Sequence, residues 1–160
     1  MGNGTQVHII IEPHDRFPDL LRDGYQITSP TCPSYNCIAW AADCNTIDWW
    51  PGYPGWPYHY WPNGTRNDDS EASFVEAFAT LGYERCSDDK PEVGYEKVAV
   101  YAIGKNVKHM ARQLPNGLWS SKLGHWVDIE HTLRGLEGQN YGYVIAILRR
   151  KTPRAGCKIS

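Results

Sequence analysis

The sequence predicts a single domain of the α+β class. Three observations support this prediction: a length of 160 residues, two helix patterns in the first half of the chain, and a series of strand patterns in the second half. A chain of this length is expected to form one hydrophobic core, because two cores would each be thin. Helices followed by consecutive strands are typical of an antiparallel sheet with helices on one side. The expected domain spans residues 1–160.

The first predicted helix begins at Cys37. A short apolar strand over Val7–Ile11 and a loop precede it. Ser34 and Asn36 are both possible N-caps, since either side chain can accept a hydrogen bond from a free N–H group of the first turn. The run that follows, Cys-Ile-Ala-Trp-Ala-Ala, favours a helix. Cys37 is therefore expected in the first helical turn.

The second helix is predicted to follow Ser70, which can serve as its N-cap. Gly82 stands where a glycine commonly ends a helix. The apolar residues between them fall on one helical face: Phe74, Val75, Phe78 and Leu81. Residues 45–67, between the two helices, are dense in Trp, Tyr, Pro and Gly and lack the period of a helix or a strand. They are predicted to form a long loop.

An antiparallel meander is predicted in the second half of the chain. Alternating polarity and turn residues place the strands at 95–103, 107–113, 118–122 and 141–149. If the turn at Pro115–Gly117 is centred near Asn116, residue 111 faces roughly residue 121. A helical turn is expected near 131–135, and the basic residues 150–160 are expected to form a frayed tail.

The composition excludes several classes of function. A formal net charge of -2 gives no electrostatic basis for gripping a phosphate backbone, so we expect no nucleic-acid partner. The N-terminus has no basic segment followed by an apolar one, and the longest apolar runs are too short to span a bilayer. We therefore expect no membrane partner and a cytoplasmic location, unless a specialised secretion route or a larger parent chain carries the domain out.

The cysteines and histidines do not suggest a disulfide scaffold or a metal site. The chain has five cysteines, an odd number, which excludes a complete disulfide framework. No pair of cysteines has the C-x-x-C spacing of a zinc site, and the histidines lie apart. We expect neither a metal nor another cofactor.

Cys37 and His109 are the residues expected to carry chemistry. A cysteine is nucleophilic as its thiolate, and the first turn of a helix lowers the thiol pKa because free N–H groups and the helix dipole favour the anion. His109 lies on the second strand of the predicted meander, where its imidazole could take the thiol proton and later protonate a leaving group. Either residue taken alone is more often structural than catalytic.

A third catalytic residue has several candidates. The predicted register brings Ser121 beside His109, where its hydroxyl could orient the imidazole. Asp128, Glu130 and His131 follow within one loop and are the alternatives. Because a hydroxyl orients an imidazole only weakly, the role stays open between Ser121 and Asp128.

Several motifs carry a resemblance to a known family: Tyr-Asn-Cys-Ile-Ala-Trp-Ala-Ala at 35–42, Tyr-Trp-Pro at 60–62, Leu-Gly-Tyr at 81–83, Gly-Tyr-Glu-Lys-Val-Ala at 94–99, His-Met-Ala-Arg-Gln-Leu-Pro at 109–115, Ser-Lys-Leu-Gly at 121–124 and Asp-Ile-Glu-His at 128–131. From about Thr31 onward, the chain resembles an uncharacterised bacterial domain family with no established activity. The layout of that family is similar to the papain-like superfamily, especially the NlpC-type peptidoglycan peptidases. This resemblance implies a papain-like α+β fold in which Cys37, His109 and Ser121 take the three catalytic roles. Those enzymes usually place His, Asn or Gln where this chain has Ser121.

Aromatic residues are concentrated in the loop that follows the first predicted helix. Their faces could stack on sugars or grip peptide side chains, and the candidates for substrate contact are Trp40, Trp50, Tyr60 and Trp61. The simpler interpretation is that these rings pack as an ordered loop over the core.

The leading hypothesis from the sequence is a cysteine hydrolase or acyltransferase, such as a peptidase or amidase, acting on an amide or related acyl bond of a peptide or other acyl-containing substrate. The alternative is a non-catalytic binding or toxin-associated interaction module that uses the aromatic loop 45–61 to take a protein partner. The positions of Cys37 and His109 separate the two hypotheses. A pair within about 4 Å in an open cleft favours the enzyme, whereas burial on different sides of the core favours the module.

Overall fold

One seven-stranded antiparallel sheet forms the centre of the computed structural model, which describes residues 10–52 and 57–153. The strands are β1 Tyr25–Ser29, β2 Asp48–Trp49, β3 His59–Tyr60, β4 Glu84–Cys86, β5 Tyr95–Ile103, β6 Asn106–Gln113, β7 Trp119–Lys122, β8 Asp128–His131 and β9 Tyr143–Lys151. The helices are α1 Pro13–Arg16, α2 Asp19–Asp23, α3 Cys37–Ala41, α4 Glu71–Ala79 and a 3-10 helix at Leu133–Leu136. The sheet order is β1-β8-β7-β6-β5-β9-β4, and β2 and β3 form a separate parallel pair.

The prediction of a papain-like α+β fold is wrong, because the sheet dominates the structure and most of the helices are very short. The helix that carries Cys37 has 5 residues, and α4, which is longer, has 9. Asn36 does cap α3, since its side chain accepts a hydrogen bond from the backbone N–H of Ala39. The helix ends at Ala41, however, and Asp43 soon after adopts a positive φ of 61°. The fold is therefore rich in β structure.

Helix α4 and the β6–β7 register, which have strong local sequence signals, are found where the sequence predicts them. Ser70 caps α4 by accepting a hydrogen bond from the N–H of Ser73, and Gly82 follows the helix with a φ of +91°. The first three strands of the predicted meander correspond to β5, β6 and β7, and the strand predicted at 141–149 corresponds to β9. Arg112 pairs with Ser120 across β6 and β7, which is the register expected from a turn near Asn116.

Four strands were not expected from the sequence, namely β1, β4 and the short pair β2 and β3. Strand β8 holds Asp128, Glu130 and His131, which were expected from the sequence to lie within one loop. The strand predicted at Val7–Ile11 falls largely outside the described residues, and Ile10 and Ile11 belong to no strand. The prediction of a frayed tail over 150–160 is wrong at its start, because Arg150 belongs to β9 and bonds to Glu96 at 2.8 Å. Residues 154–160 lie outside the described part.

An apolar cluster covers each face of the sheet. Side chains alternate along β5, so Val100 points to one face and Tyr101 to the other. We call the side covered by α3 and α4 the first face, where Ile38 and Phe74 pack. The second face lies under α2 and the 3-10 helix, where Leu20 packs. Within the described residues, no helix has both the length and the apolar character needed to cross a membrane.

Candidate functional site

Cys37 and His109 lie on different faces of the sheet. Cys37 begins α3 and packs in the first-face cluster together with Met110. His109 directly precedes Met110 on β6 and points the other way, with its ring stacked on Tyr141 at 4.1 Å. His109 Nε2 is bonded to Ser121, and its buried Nδ1 has no hydrogen-bond partner in the described part of the chain. The structure therefore does not bring together the predicted catalytic pair.

The surroundings of Cys37 suppress the reactivity of its thiol. Burial raises the pKa of Cys37 to about 11, although backbone hydrogen bonds at Met110 and Ile38 act in the opposite direction. The helix start thus favours the thiolate, as the sequence suggests, but the loss of solvent has the larger effect. These surroundings do not fit the expected role of Cys37 as an activated nucleophile.

His109, Ser121 and His131 form a buried chain of hydrogen bonds on the second face, which we call the imidazole cluster. His131 Nδ1 donates to the carbonyl oxygen of Thr132 at 2.6 Å, so its Nε2 must accept from the Ser121 hydroxyl at 2.7 Å. Ser121 Oγ then accepts from His109 Nε2 at 2.9 Å. Burial lowers the pKa of His131 to about 4 and holds the pKa of His109 well below 6.5. Both imidazoles are neutral in this arrangement, and the ring of His109 that Ser121 orients is fully buried.

Cys32, just before α3, is a different kind of thiol. It is partly exposed, and its backbone N–H donates to the carbonyl oxygen of His125 at 3.2 Å. Hydrogen bonds from the backbone and side chain of Ser34 lower the pKa of Cys32, and the nearby Lys122 ammonium acts in the same direction. Burial and, to a smaller extent, the carboxylate of Asp128 oppose this shift. The net effect favours the thiolate.

Lys122 and Asp128 are the buried members of the same site. They face each other across β7 and β8 on the first face, and their side chains are almost fully buried. Lys122 Nζ bonds the carbonyl oxygen of Trp126 and lies 5.2 Å from the centre of the Tyr35 ring, whose hydroxyl donates to Asp128 at 3.0 Å. Burial lowers the pKa of Lys122 and raises that of Asp128, while each charge favours the other. We call Cys32, Tyr35, Lys122 and Asp128 the thiol cluster.

An imidazole paired with a carboxylate lies at the rim of the thiol cluster. His125 Nε2 is 2.8 and 2.9 Å from the two carboxylate oxygens of Asp48. When Nε2 carries the proton shared with Asp48, Nδ1 holds the lone pair and can act as a base. The ring is exposed, and its own carbonyl is bonded to Cys32. A thiol that favours its anion, an oriented imidazole and a buried lysine thus meet in one region.

A match to a known domain family covers most of the described chain, including the thiol cluster. Residues 26–149, from β1 into β9, match DUF7689, a domain of unknown function. The chain belongs to the DUF7689 family. No curated protein and no solved structure matches the chain. The DUF7689 match supports the resemblance to an uncharacterised domain family, but it does not link this domain to papain-like or NlpC-type peptidases.

The aromatic residues predicted to contact substrate are mostly used for packing in this DUF7689 domain. These residues are Trp40, Trp50, Tyr60 and Trp61. Trp50 and Trp61 place their edges against Phe74 of α4, at 5.8 and 5.0 Å between ring centres. Trp40 donates to Ser120 on β7 at 3.1 Å. Tyr60 is more open, with 44% of its surface exposed. For three of these four residues the structure therefore agrees better with packing over the core than with an aromatic binding surface, and residues 53–56 of the predicted loop lie outside the described part.

Sequence reasoning missed most of the thiol cluster of the DUF7689 domain. Of its members, only Asp128 is a candidate from the sequence, and it contacts Tyr35 rather than His109. Glu130, another candidate, bonds Asn116 near the β6–β7 turn. The alternation of strand β7 was a usable signal, because it places Lys122 on the face opposite Ser121. Among the described residues, no group of three or more His, Cys, Asp or Glu side chains is arranged to hold a metal ion.

Proposed function

We propose that this DUF7689 domain is a thiol-dependent hydrolase or acyltransferase acting on an amide or related acyl bond, with Cys32 as the nucleophile. The observation that carries the proposal is the setting of Cys32. Its thiol is partly exposed and has a lowered pKa, and it lies near buried Lys122 and beside the loop that holds His125. Cys37 is buried and has a raised pKa.

The reaction uses two acyl-transfer steps. His125 takes the proton of Cys32, and the thiolate attacks the acyl carbon of the substrate. The carbon–nitrogen bond then breaks, and the leaving amine receives the proton from His125. Water next attacks the thioester, gives one proton to His125 and releases the carboxylic acid, after which the thiolate regains that proton. In an acyltransferase, an amine takes the place of this water.

The other members of the site act on Cys32 and His125. Asp48 orients the imidazole of His125 through Nε2, which leaves Nδ1 for proton transfer. The Lys122 ammonium stabilises the thiolate by its charge. Asp128 in turn favours the charged form of Lys122, so Asp128 is a positioning residue.

The proposed substrate class is the one indicated by the sequence, a peptide or another acyl-containing molecule.

The chemistry requires a reduced thiol, and no disulfide is present among the four described cysteines. We propose that the domain works in the cytoplasm or after delivery by a specialised secretion route, since reduced cysteines are typical of cytosolic proteins.

The non-catalytic interaction module is the second candidate function. The separation of Cys37 from His109 favours it, because that arrangement removes the catalytic pair on which the sequence-based enzyme hypothesis rested. Exposed Tyr58 and Tyr60 could contact a protein partner. Fewer observations support the interaction module than the enzyme, since Trp50 and Trp61 pack against the core instead of facing solvent.

Acylation by an activated ester tests the proposed enzyme. Incubation with 4-nitrophenyl acetate should place an acetyl group on Cys32, detectable by peptide mass spectrometry, and this thioester should then turn over. His125→Ala should slow both formation and hydrolysis of the thioester. Cys44→Ala is the matched control, because Cys44 is also partly exposed but has no role in the proposed reaction. Acetylation confined to other cysteines, or unchanged rates in His125→Ala, would contradict the mechanism.

A further inference from the structure

A groove on the second face is not part of the proposed thiol site. It has a volume of about 600 Å³, which is in the range of small-molecule sites. Its walls are Phe17, Leu123, Trp126 and Tyr141, and its polar groups come from Arg16 and Asn140. A concave apolar site with a few convergent polar groups is the usual form of a ligand pocket.

Arg16 is the charged residue that lines the groove. Its guanidinium lies 5.7 Å from the centre of the Trp126 ring. Within the described part of the chain, Arg16 forms no ion pair, and it is the only charged residue that lines the groove. Asn140 donates to the carbonyl oxygen of Arg16 at 2.7 Å, which fixes the backbone that carries this cation. An unpaired guanidinium at the rim of an aromatic groove is suited to a carboxylate.

Tyr141 supplies a rigid floor for the groove. Its ring is stacked on His109 at 4.1 Å with only 5° between the planes, and it also packs against Phe17 at 4.8 Å. Burial raises the pKa of the Tyr141 hydroxyl, and the Arg16 charge acts in the opposite direction. The ring is therefore held in place by packing.

We infer that this groove binds an aromatic carboxylate, with the aromatic ring among Phe17, Trp126 and Tyr141 and the carboxylate on Arg16. The apolar walls select a large flat group, and the lone cation selects a negative charge beside it. A free aromatic acid and a peptide that ends in an aromatic residue share this chemistry. The inference does not depend on the reactivity of Cys32.

Calorimetric titration with N-acetyl-phenylalanine and its uncharged amide tests the inference. The acid should bind saturably and the amide at least about tenfold more weakly, because a charged hydrogen-bonded pair is lost. Arg16→Gln should remove this preference for the acid. Arg22→Gln is the matched control, since Arg22 is an exposed arginine paired with Asp19 and Asp23 rather than lining the groove. Both variants change exposed side chains and should fold.

The source of the carboxylate is distinguished by a further titration. A tetrapeptide ending in phenylalanine that binds more tightly than N-acetyl-phenylalanine would identify a peptide C-terminus, and equal affinities would identify a free acid; both results support the inference. Cys32→Ala should bind both probes as the parent protein does. Absence of saturable binding by either acid, equal affinity for acid and amide, or an equal loss in Arg22→Gln would overturn the inference.

Discussion

The thiol cluster and the imidazole cluster share strand β7 but differ in almost every physical property. Lys122 belongs to the thiol cluster, and Ser121, its neighbour in sequence, belongs to the imidazole cluster. The thiol cluster combines charged groups with a partly exposed sulfur, whereas the imidazole cluster is closed to solvent and neutral. Polar residues on one strand can therefore have a chemical role on one face and a structural role on the other.

Cys37 belongs to neither cluster, and it shows why a helix start alone does not activate a thiol. A helix N-terminus favours the thiolate by its free N–H groups, but a fully buried sulfur loses the hydration that stabilises its charge. For Cys37 the second effect is larger, since the pKa rises from 9.0 to about 11. Cys32 keeps contact with solvent while it gains hydrogen bonds and a nearby cation.

The largest effect is expected from acid on the imidazole cluster. Burial lowers the pKa of His131 from 6.5 to about 4, so the folded state binds fewer protons than the unfolded state between these values. The contribution of neutral His131 to the free energy of unfolding is therefore complete above pH 6.5 and decreases as the pH drops towards 4. From His131 alone, the free energy of unfolding should fall by roughly 3 kcal/mol over this range. Urea unfolding at a series of pH values measures this loss.

Two variants separate the imidazole cluster from other acid-sensitive groups. His131→Gln should flatten the dependence of the unfolding free energy on pH. His125→Asn should retain it, because the ring of His125 is exposed. If the unfolding free energy of the unsubstituted protein does not change between pH 6.5 and 4.5, burial does not keep the histidines of the imidazole cluster neutral, and the account of this cluster is wrong.

The next largest effect is expected for Ser121→Ala. The substitution leaves a donor on His109 and an acceptor on His131 buried without a partner, at a cost of about 2–3 kcal/mol in the free energy of unfolding. Ser120→Ala, one residue away on the first face, removes the acceptor of a single bond from Trp40 and should cost about 1 kcal/mol. Equal losses in urea unfolding would mean that the chain of hydrogen bonds does not act as a unit.

The smallest effect is expected for Lys122→Met. Removal of the ammonium should raise the pKa of Cys32, because one of the interactions that favour its thiolate is lost. The alkylation profile of Cys32 should move to higher pH. Lys97→Met is the matched control, since Lys97 is also a buried lysine but is paired with Asp88. A profile that moves equally in both variants would assign the shift to a general loss of stability.

Local sequence signals were sufficient for part of the fold. Helix α4 has a capping serine, one apolar face and a terminal glycine, and the β5–β7 meander has alternation and a clear turn. The edge strands β1 and β4 lack such signals. In β1, for example, Gln26, Ile27 and Thr28 are all exposed, and the strand forms because it pairs with β8. Long-range pairing of this kind is not encoded in a short window of sequence.

The candidate site could be predicted only in part, because the face on which His109 lies depends on a β-bulge. Simple alternation would put His109 on the same face as Val107, which packs in the cluster of Cys37. The pairing of β5 with β6 shifts at this point: Ala102 pairs with Val107 and Tyr101 with His109, so Lys108 is the extra residue. A bulge reverses the side-chain alternation beyond it. The register of Ser121 was thus predictable, whereas the orientation of His109 was not.

Alkylation of Cys32 and Cys37 in one sample tests the central claim most directly. The native protein is treated with iodoacetamide across a range of pH, and peptide mass spectrometry gives the rate at each cysteine. Near neutral pH, Cys32 should react at least about a hundredfold faster than Cys37, because the thiolate fraction falls tenfold for each unit by which a pKa is raised. The difference should disappear in the urea-unfolded protein. A native Cys37 that reacts as fast as Cys32 or faster would contradict the account.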